Sequence, residues 1–186
     1  DGALDIFHSH DRDALLLYPS EPLSEVEFVL FYANERPYPA QTLDDLRGRT
    51  VGTSPGYLYG TEFTDSSLFT REPAPSHEAN FGKLLLGRID LLITDRRVGQ
   101  HVIKQLGLED KVSQAPLVVS RQQQFLAVRR GAGMDLLVQR FAAELKRFKQ
   151  EPAYTVLSAK YGGLHAKNAA ITAPERTVEQ QESSAR

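Results

Sequence analysis

Ser76-His77-Glu78-Ala79-Asn80-Phe81-Gly82-Lys83-Leu84-Leu85-Leu86-Gly87-Arg88-Ile89-Asp90-Leu91-Leu92-Ile93-Thr94-Asp95 holds a helix, a stop, a strand and a carboxylate within twenty residues. Ser76 has a hydroxyl that can accept from the free amides of a first helical turn. Glu78 lies where the helix dipole favours an anion, and Gly87 can take the left-handed conformation that ends a helix. These signals predict a helix over about 77–86. Residues 89–93 are apolar around one acid, which predicts a strand covered on both faces, as in a parallel sheet. Asp95 then emerges at the carboxyl end of that strand. Open α/β sheets bind ligands at that end, so Asp95 is the first candidate for a functional charge.

The phrase occurs a second time. Gly2-Ala3-Leu4-Asp5-Ile6-Phe7 repeats the Gly-x-apolar-Asp-apolar-apolar pattern of residues 87–92, and His8-Ser9-His10-Asp11-Arg12 after it is again polar. The repeat begins at a glycine of the kind that ends a helix, so the chain reads as part of a longer protein with two similar α/β lobes. Asp5 and Asp90 both sit at strand starts and read as residues that hold strand-end loops by hydrogen bonds.

Between and beyond these copies, short apolar runs alternate with helical patterns. Residues 14–18 are an apolar run stopped by Pro19. Residues 26–32 are β-branched and aromatic, which predicts a strand with Phe28, Phe31 and Tyr32 in a core. Thr42 has the chemistry to cap a short helix through Leu46, with Asp44 and Asp45 in its first turn. Residues 50–53 predict a strand, and Ser54-Pro55-Gly56-Tyr57-Leu58-Tyr59-Gly60 leads towards another helix. Residues 98–106 repeat apolar side chains at helical spacing before Gly107. Residues 117–119 and 125–128 predict two short strands. Over 134–149, Leu136, Leu137, Phe141, Leu145 and Phe148 predict one apolar helix face, and 154–161 predict a further helix. Residues 165–186 contain no aromatics and read as a disordered tail.

Composition excludes some functions. The chain has 186 residues, 41% of them hydrophobic, a formal net charge of -2 and no cysteine. That balance supplies no basic field for nucleic acid or an anionic membrane, and no disulfide or thiol chemistry. No apolar run is long enough for a transmembrane span. There is no nucleophile-elbow spacing, phosphate loop or His-Glu-x-x-His pattern, so no catalytic constellation is nominated. His8-x-His10 has the spacing to put two imidazoles on one strand face, as in some metal sites, but no third ligand stands out and no cofactor is implied.

Leu43-x-x-Leu46-Arg47-Gly48-Arg49-Thr50-Val51-Gly52, residues 84–95 and residues 141–161 occur in an order that resembles the family 3, amino-acid-binding type of periplasmic solute-binding proteins of ABC transporters. The resemblance covers residues 1 to about 162 and implies an α/β fold of the type II periplasmic-binding-protein kind, two lobes with mostly parallel sheets, the first lobe incomplete. It places a remnant of lobe one and a hinge strand in 1–35, lobe two in 36–122, and the return hinge strand and C-terminal helices packing on lobe one in 123–163. Residues 164–186 form the tail. It further implies a periplasmic protein that passes an amino acid or related small carboxylate to a membrane permease, with neither nucleic acid nor membrane insertion involved.

The same resemblance implies a site. Ser9-His10-Asp11-Arg12 matches the family's Thr-x-x-Arg, which makes Arg12 the clamp for a ligand carboxylate and Ser9 an added donor, although on composition alone Arg12 is a solvated loop residue. A guanidinium grips a carboxylate with two charge-assisted bonds that lysine cannot copy. Asp95 falls where the family keeps the acceptor for an α-ammonium. Gly56-Tyr57-Leu58 replaces the family's hydroxyl-bearing turn, so the backbone amides of a helix start would remain, and the ligand would be either something other than a common polar amino acid or one shaped by stacking on Tyr57 or Tyr59. A sensor domain of a signalling receptor uses the same fold, and a few relatives are cyclohexadienyl-acid dehydratases; these are the alternative functions.

Overall fold

Two long strands carry the sheet. The structure, a computed structural model, describes residues 1–161. In chain order it contains β1 (Gly2–Phe7), a 3-10 turn at His10–Arg12, β2 (Leu16–Leu17), β3 (Ser24–Ala33), a 3-10 turn at Asp44–Leu46, β4 (Thr50–Thr53) and α1 (Thr61–Asp65). There follow β5 (Thr70–Pro73), α2 (His77–Leu85), β6 (Leu91–Asp95), α3 (Arg96–Gln105), β7 (Val112–Arg129), α4 (Asp135–Phe148) and α5 (Pro152–Lys160). The chain divides into two units, Asp1–Arg147 and Phe148–Arg186. Within the described part of the second unit, α5 starts with Pro152 at its first turn, and the Phe148 and Tyr154 rings meet edge to face.

The first unit contains one seven-stranded sheet in the order β1-β7-β3-β6-β4-β5, with β2 also on β7. β3 pairs antiparallel with β7 on one side and with β6 on the other, while β6, β4 and β5 run parallel to one another. The class is α/β, and its parallel pairs belong to the strands that alternate with α1 and α2. Successive side chains of β3 enter opposite layers. Val26, Phe28 and Leu30 join Val51, Leu91, Ile93 and Phe63 on one face, and Val29, Phe31 and Ala33 join Phe81, Leu84, Leu92 and Val102 on the other. A strand covered on both faces buries successive side chains in opposite layers, which explains the apolar runs over 28–31 of β3 and 91–93 of β6. Each such Phe or Leu contributes about 1.5–3 kcal/mol of transfer free energy.

The quoted stretch folds as its residues indicate. Ser76 Oγ accepts from the Ala79 amide at 3.1 Å, and Gly87 has φ 69°. Asp90 Oδ2 accepts from the Thr50 amide at 2.8 Å and so ties the start of β6 to β4. Three expectations need correcting. The two short strands expected over 117–128 are parts of one 18-residue strand, β7, because the polar middle of that strand is paired with β3 along its length. Thr42 does not cap the turn that follows it: no side chain caps that turn, and Asp45 Oδ2 instead accepts from the Gln41 and Thr42 amides that precede it. β5 has no apolar signature and is held by β4 alone. On α4 the buried residues are Val138 and Ala142, while Leu136 and Leu137 are exposed. At 100° per residue, Val138, Phe141, Ala142 and Leu145 share one side, and Leu136 lies on the other. The tail expected over 164–186 lies outside the described residues.

Glu27, in the middle of β3, is buried between two arginines. Arg96 at the start of α3 reaches Oε2 with Nε at 2.8 Å and Nη2 at 2.6 Å; Arg121, its register partner on β7, reaches Oε1 with Nε at 3.0 Å and Nη2 at 2.8 Å. Both carboxylate oxygens are thereby satisfied by charge-assisted bonds, which an interior carboxylate needs. The clamp ties both neighbours of β3 to it. Glu27→Gln is expected to lower stability by about 2 kcal/mol, since hydrogen bonds to charged groups contribute about that much. Arg121→Gln, at a side chain more than half exposed, should cost under about 1 kcal/mol. Urea denaturation of both variants measures the difference, and equal costs would contradict the clamp.

Candidate functional site

β4 and β6 lie side by side and parallel, with Val51 opposite Leu91, so their carboxyl ends open at the same edge. Three segments meet there: the 54–60 loop after β4, the first turn of α2, and the junction of β6 with α3. Their side chains converge on His77. Tyr57 Oη lies 3.2 Å from its Nε2, and Ser54 Oγ and Thr94 Oγ1 lie 3.3 and 3.4 Å from its Nδ1. Asn80, one turn further along α2, donates to the Thr53 carbonyl at 3.0 Å. Asn80 can lie this close because position 52 is glycine: a Cβ there would stand 2.6 Å from its Oδ1.

Asp95 has two oxygens with different fates. Oδ1 accepts from the Arg97 and Val98 amides at 2.9 and 3.0 Å and caps α3. Oδ2 is buried and accepts no hydrogen bond from the described residues, as is also true of Asn80 Oδ1. A buried acceptor left unpaired costs about 1–3 kcal/mol, and a donor brought to it recovers that cost. The charge on Asp95 reaches both Tyr57 and His77. Burial, and after it this charge, raises the Tyr57 phenol. Burial lowers the His77 imidazole, against the charges of Glu78 and Asp95, which favour its protonated form. At neutral pH both groups are uncharged.

Aromatic rings hold the loop in place. Tyr57 stacks on Tyr59 at 5.9 Å and 13°, and both meet Phe28 edge-on. Tyr59 is buried; its hydroxyl accepts from the Ser54 amide at 2.8 Å and donates to the Ser54 carbonyl at 3.3 Å. Burial pushes its pKa up to about 12, with the Ser54 bonds acting in the opposite direction.

The structure brings Asp95 and Tyr57 into one cluster and places the other expected site residues around it differently. Gly56, at φ 80°, and Leu58 lie on the exposed part of the 54–60 loop. No helix starts at Gly56-Tyr57-Leu58. α1 begins at Thr61 and is five residues long, so the expected cradle of helix-start amides does not form there; Gly60, at φ 94°, turns the chain first. Ser9 is half-buried before the His10–Arg12 turn. Arg12 is exposed, donates to the Phe7 carbonyl at 3.4 Å, and lines a cleft with Ile6, Leu15, Arg129 and Arg130. The link between the two regions is aromatic: Phe7, two residues before Ser9, meets Phe28 at 6.0 Å, and Phe28 meets Tyr57. His8 and His10 both face Asp13, at 2.7 and 3.3 Å, and among the described residues no three His, Cys, Asp or Glu side chains are arranged to hold a metal ion. His77, Ser54, Asn80 and Thr94 are site residues that the sequence did not nominate. Asn80 and Thr94, polar inside apolar runs, were the available signal.

No family model and no curated protein matches the chain. Solved structures do. The arginine-binding protein ArgBP from T. maritima, in its holo form, superposes with a TM-score of 0.65 at 19% identity, covering 86% of this chain and 67% of that one. A histidine kinase sensor domain described as similar to periplasmic binding proteins gives 0.70 at 23% identity, covering 87% and 69%. The GluR0 ligand-binding core from Nostoc punctiforme, in complex with L-glutamate, gives 0.64 at 15% identity, covering 84% and 70%. The fold is that of the periplasmic binding proteins. The chain spans about two thirds of the length of these structures. Among the described residues no helix is long and apolar enough to cross a membrane.

Tyr59→Phe leaves the buried Ser54 amide without its acceptor and should cost about 1–3 kcal/mol in thermal or urea unfolding. It should also loosen Tyr57, seen as a faster-exchanging Ser54 amide in hydrogen exchange. An unchanged Ser54 exchange rate would contradict the role assigned to Tyr59.

Proposed function

We propose that the chain is an extracytoplasmic, periplasmic ligand-binding protein that captures an amino acid or related small carboxylate and delivers it to the permease of an ABC transporter. One observation carries the reading: the unpaired Oδ2 of buried Asp95, at the carboxyl edge of β4 and β6, in a fold shared with proteins solved with arginine and with glutamate. A ligand ammonium supplies the donor that this oxygen lacks. Arg12, on the turn after β1, holds the ligand carboxylate from the other side, with Ser9 beside it. β3 and β7, which pair along most of their length, act as the hinge strands, and binding closes the site by hinge motion. Tyr57, in place of a small hydroxyl residue, narrows the pocket.

The histidine kinase sensor domain supports a second reading, in which the same closure reports ligand to a signalling partner. The ligand chemistry is the same in both.

Thermal melting against the twenty amino acids and a set of small carboxylates tests the reading. A ligand at about a hundred times its Kd adds about 2.7 kcal/mol, which for this size is a shift of roughly 5–10 °C. One zwitterion should give that shift in the wild type and none in Arg12→Ala or Asp95→Asn. Asparagine keeps the Oδ1 cap of α3, so Asp95→Asn should fold normally. An acid lacking an amino group that shifts wild type and Asp95→Asn equally would overturn the amino-acid assignment.

A further inference from the structure

His77 is not among the residues that grip a ligand in the reading above, yet side chains of three segments converge on it at the carboxyl edge of β4 and β6. Its three neighbours within hydrogen-bonding range are all hydroxyls: Ser54 and Thr94 at Nδ1, Tyr57 at Nε2. A hydroxyl can donate or accept, so this shell satisfies the ring in either protonation state. With a neutral ring, one nitrogen donates and the other accepts. With an imidazolium both nitrogens donate, and only hydroxyl rotations are needed to change over. No backbone movement is required for the ring to gain or lose its proton.

Resting on the amino-acid reading, we propose that His77 makes ligand capture proton-dependent: the neutral imidazole leaves the Tyr57 and Asp95 pocket to a ligand's cationic group, and protonation of the ring places a competing positive charge in it. The charged or titratable groups facing the ring are Glu78 on its own helix, Asp95 at the end of β6 and Tyr57 on the 54–60 loop. Ser54, Asn80 and Thr94 complete the wall and carry no charge. Asp95 is shared: its carboxylate favours the imidazolium in the empty protein and pairs with the ligand in the loaded one. Binding of a cation therefore drives the ring towards its neutral form, and by reciprocity acid weakens binding.

The sign follows from the depressed His77 pKa. Above the ordinary histidine value of 6.5 the ring is neutral in the folded and unfolded chain alike. As pH falls through 6.5 towards the lower folded value, the unfolded chain takes up the proton first, so stability falls. Below the folded value of the empty protein the ring is charged in the absence of ligand, and affinity for a cationic ligand falls with it. Each pKa unit by which binding lowers the ring corresponds to about a tenfold loss of affinity in acid.

The test has two parts. In the labelled protein, histidine Cε1–H signals are titrated in wild type, His77→Gln and Asp95→Asn, the first variant assigning the His77 signal. The expected midpoint lies below 6.5 in wild type and lower still in Asp95→Asn, where the supporting charge is gone. A His77 midpoint at or above 6.5, or one unchanged by Asp95→Asn, overturns the inference. L-arginine is then titrated by calorimetry at about pH 5 and about pH 8, spanning the histidine range. Affinity should drop at least about tenfold in acid for wild type and stay level for His77→Gln. An equal drop in both overturns the inference and leaves the amino-acid reading intact. Absence of L-arginine binding at about pH 8 overturns proton-dependent capture of a guanidinium ligand by this site, and leaves the amino-acid reading to the melting scan over the twenty amino acids.

Discussion

β3 in the middle of the sheet is the constraint on which the rest depends. It is antiparallel to both its neighbours, buried on both faces, and holds one buried acid, Glu27, whose two oxygens are taken by Arg96 from α3 and Arg121 from β7. A carboxylate cannot remain charged in such a place without partners, and the partners it has are the two elements that flank it. Phe28, the next residue, stands opposite Asp95 on one side and Ser120 on the other. The position of the carboxyl edge of β4 and β6 is thus set one residue away from the clamp.

From that edge the chemistry follows by burial. Tyr59 closes the 54–60 loop on its own backbone, which orients Tyr57; Tyr57 and two hydroxyls surround His77; Asp95 spends one oxygen on the cap of α3 and keeps the other unpaired. The result is a polar wall with a single negative charge, set on aromatic rings. In the proposed reading, such a wall takes a ligand that brings a cationic donor. Burial raises its Tyr57 phenol and lowers its His77 imidazole, so both are neutral at pH 7.

Local signals were legible in the sequence and long-range pairings were not. Ser76, Glu78, Gly87 and Asp90 act within a few residues or at a strand end, and each sits in the structure as its chemistry indicates. Asp95 was legible because the carboxyl end of an apolar strand is a defined place. β7 was not, because Gln122, Gln123 and Gln124 in its middle are strand only by virtue of their pairing with Val26, Glu25 and Ser24. Nor was the α4 face, where Leu136 and Leu137 suggested the wrong side. His77 looked like an ordinary first-turn residue; its role arises from three segments distant in sequence. The turn at Gly56-Tyr57-Leu58 suggested a helix start, and the glycine at position 60 delays it.

The most direct measurement is a crystal structure of the protein soaked with whichever amino acid stabilises it most against heat. The account predicts the ligand ammonium nitrogen at about 3 Å from Asp95 Oδ2, beside Tyr57 and His77, with Oδ1 still capping α3. A ligand bound elsewhere, or one that leaves Asp95 Oδ2 without a donor, would contradict it.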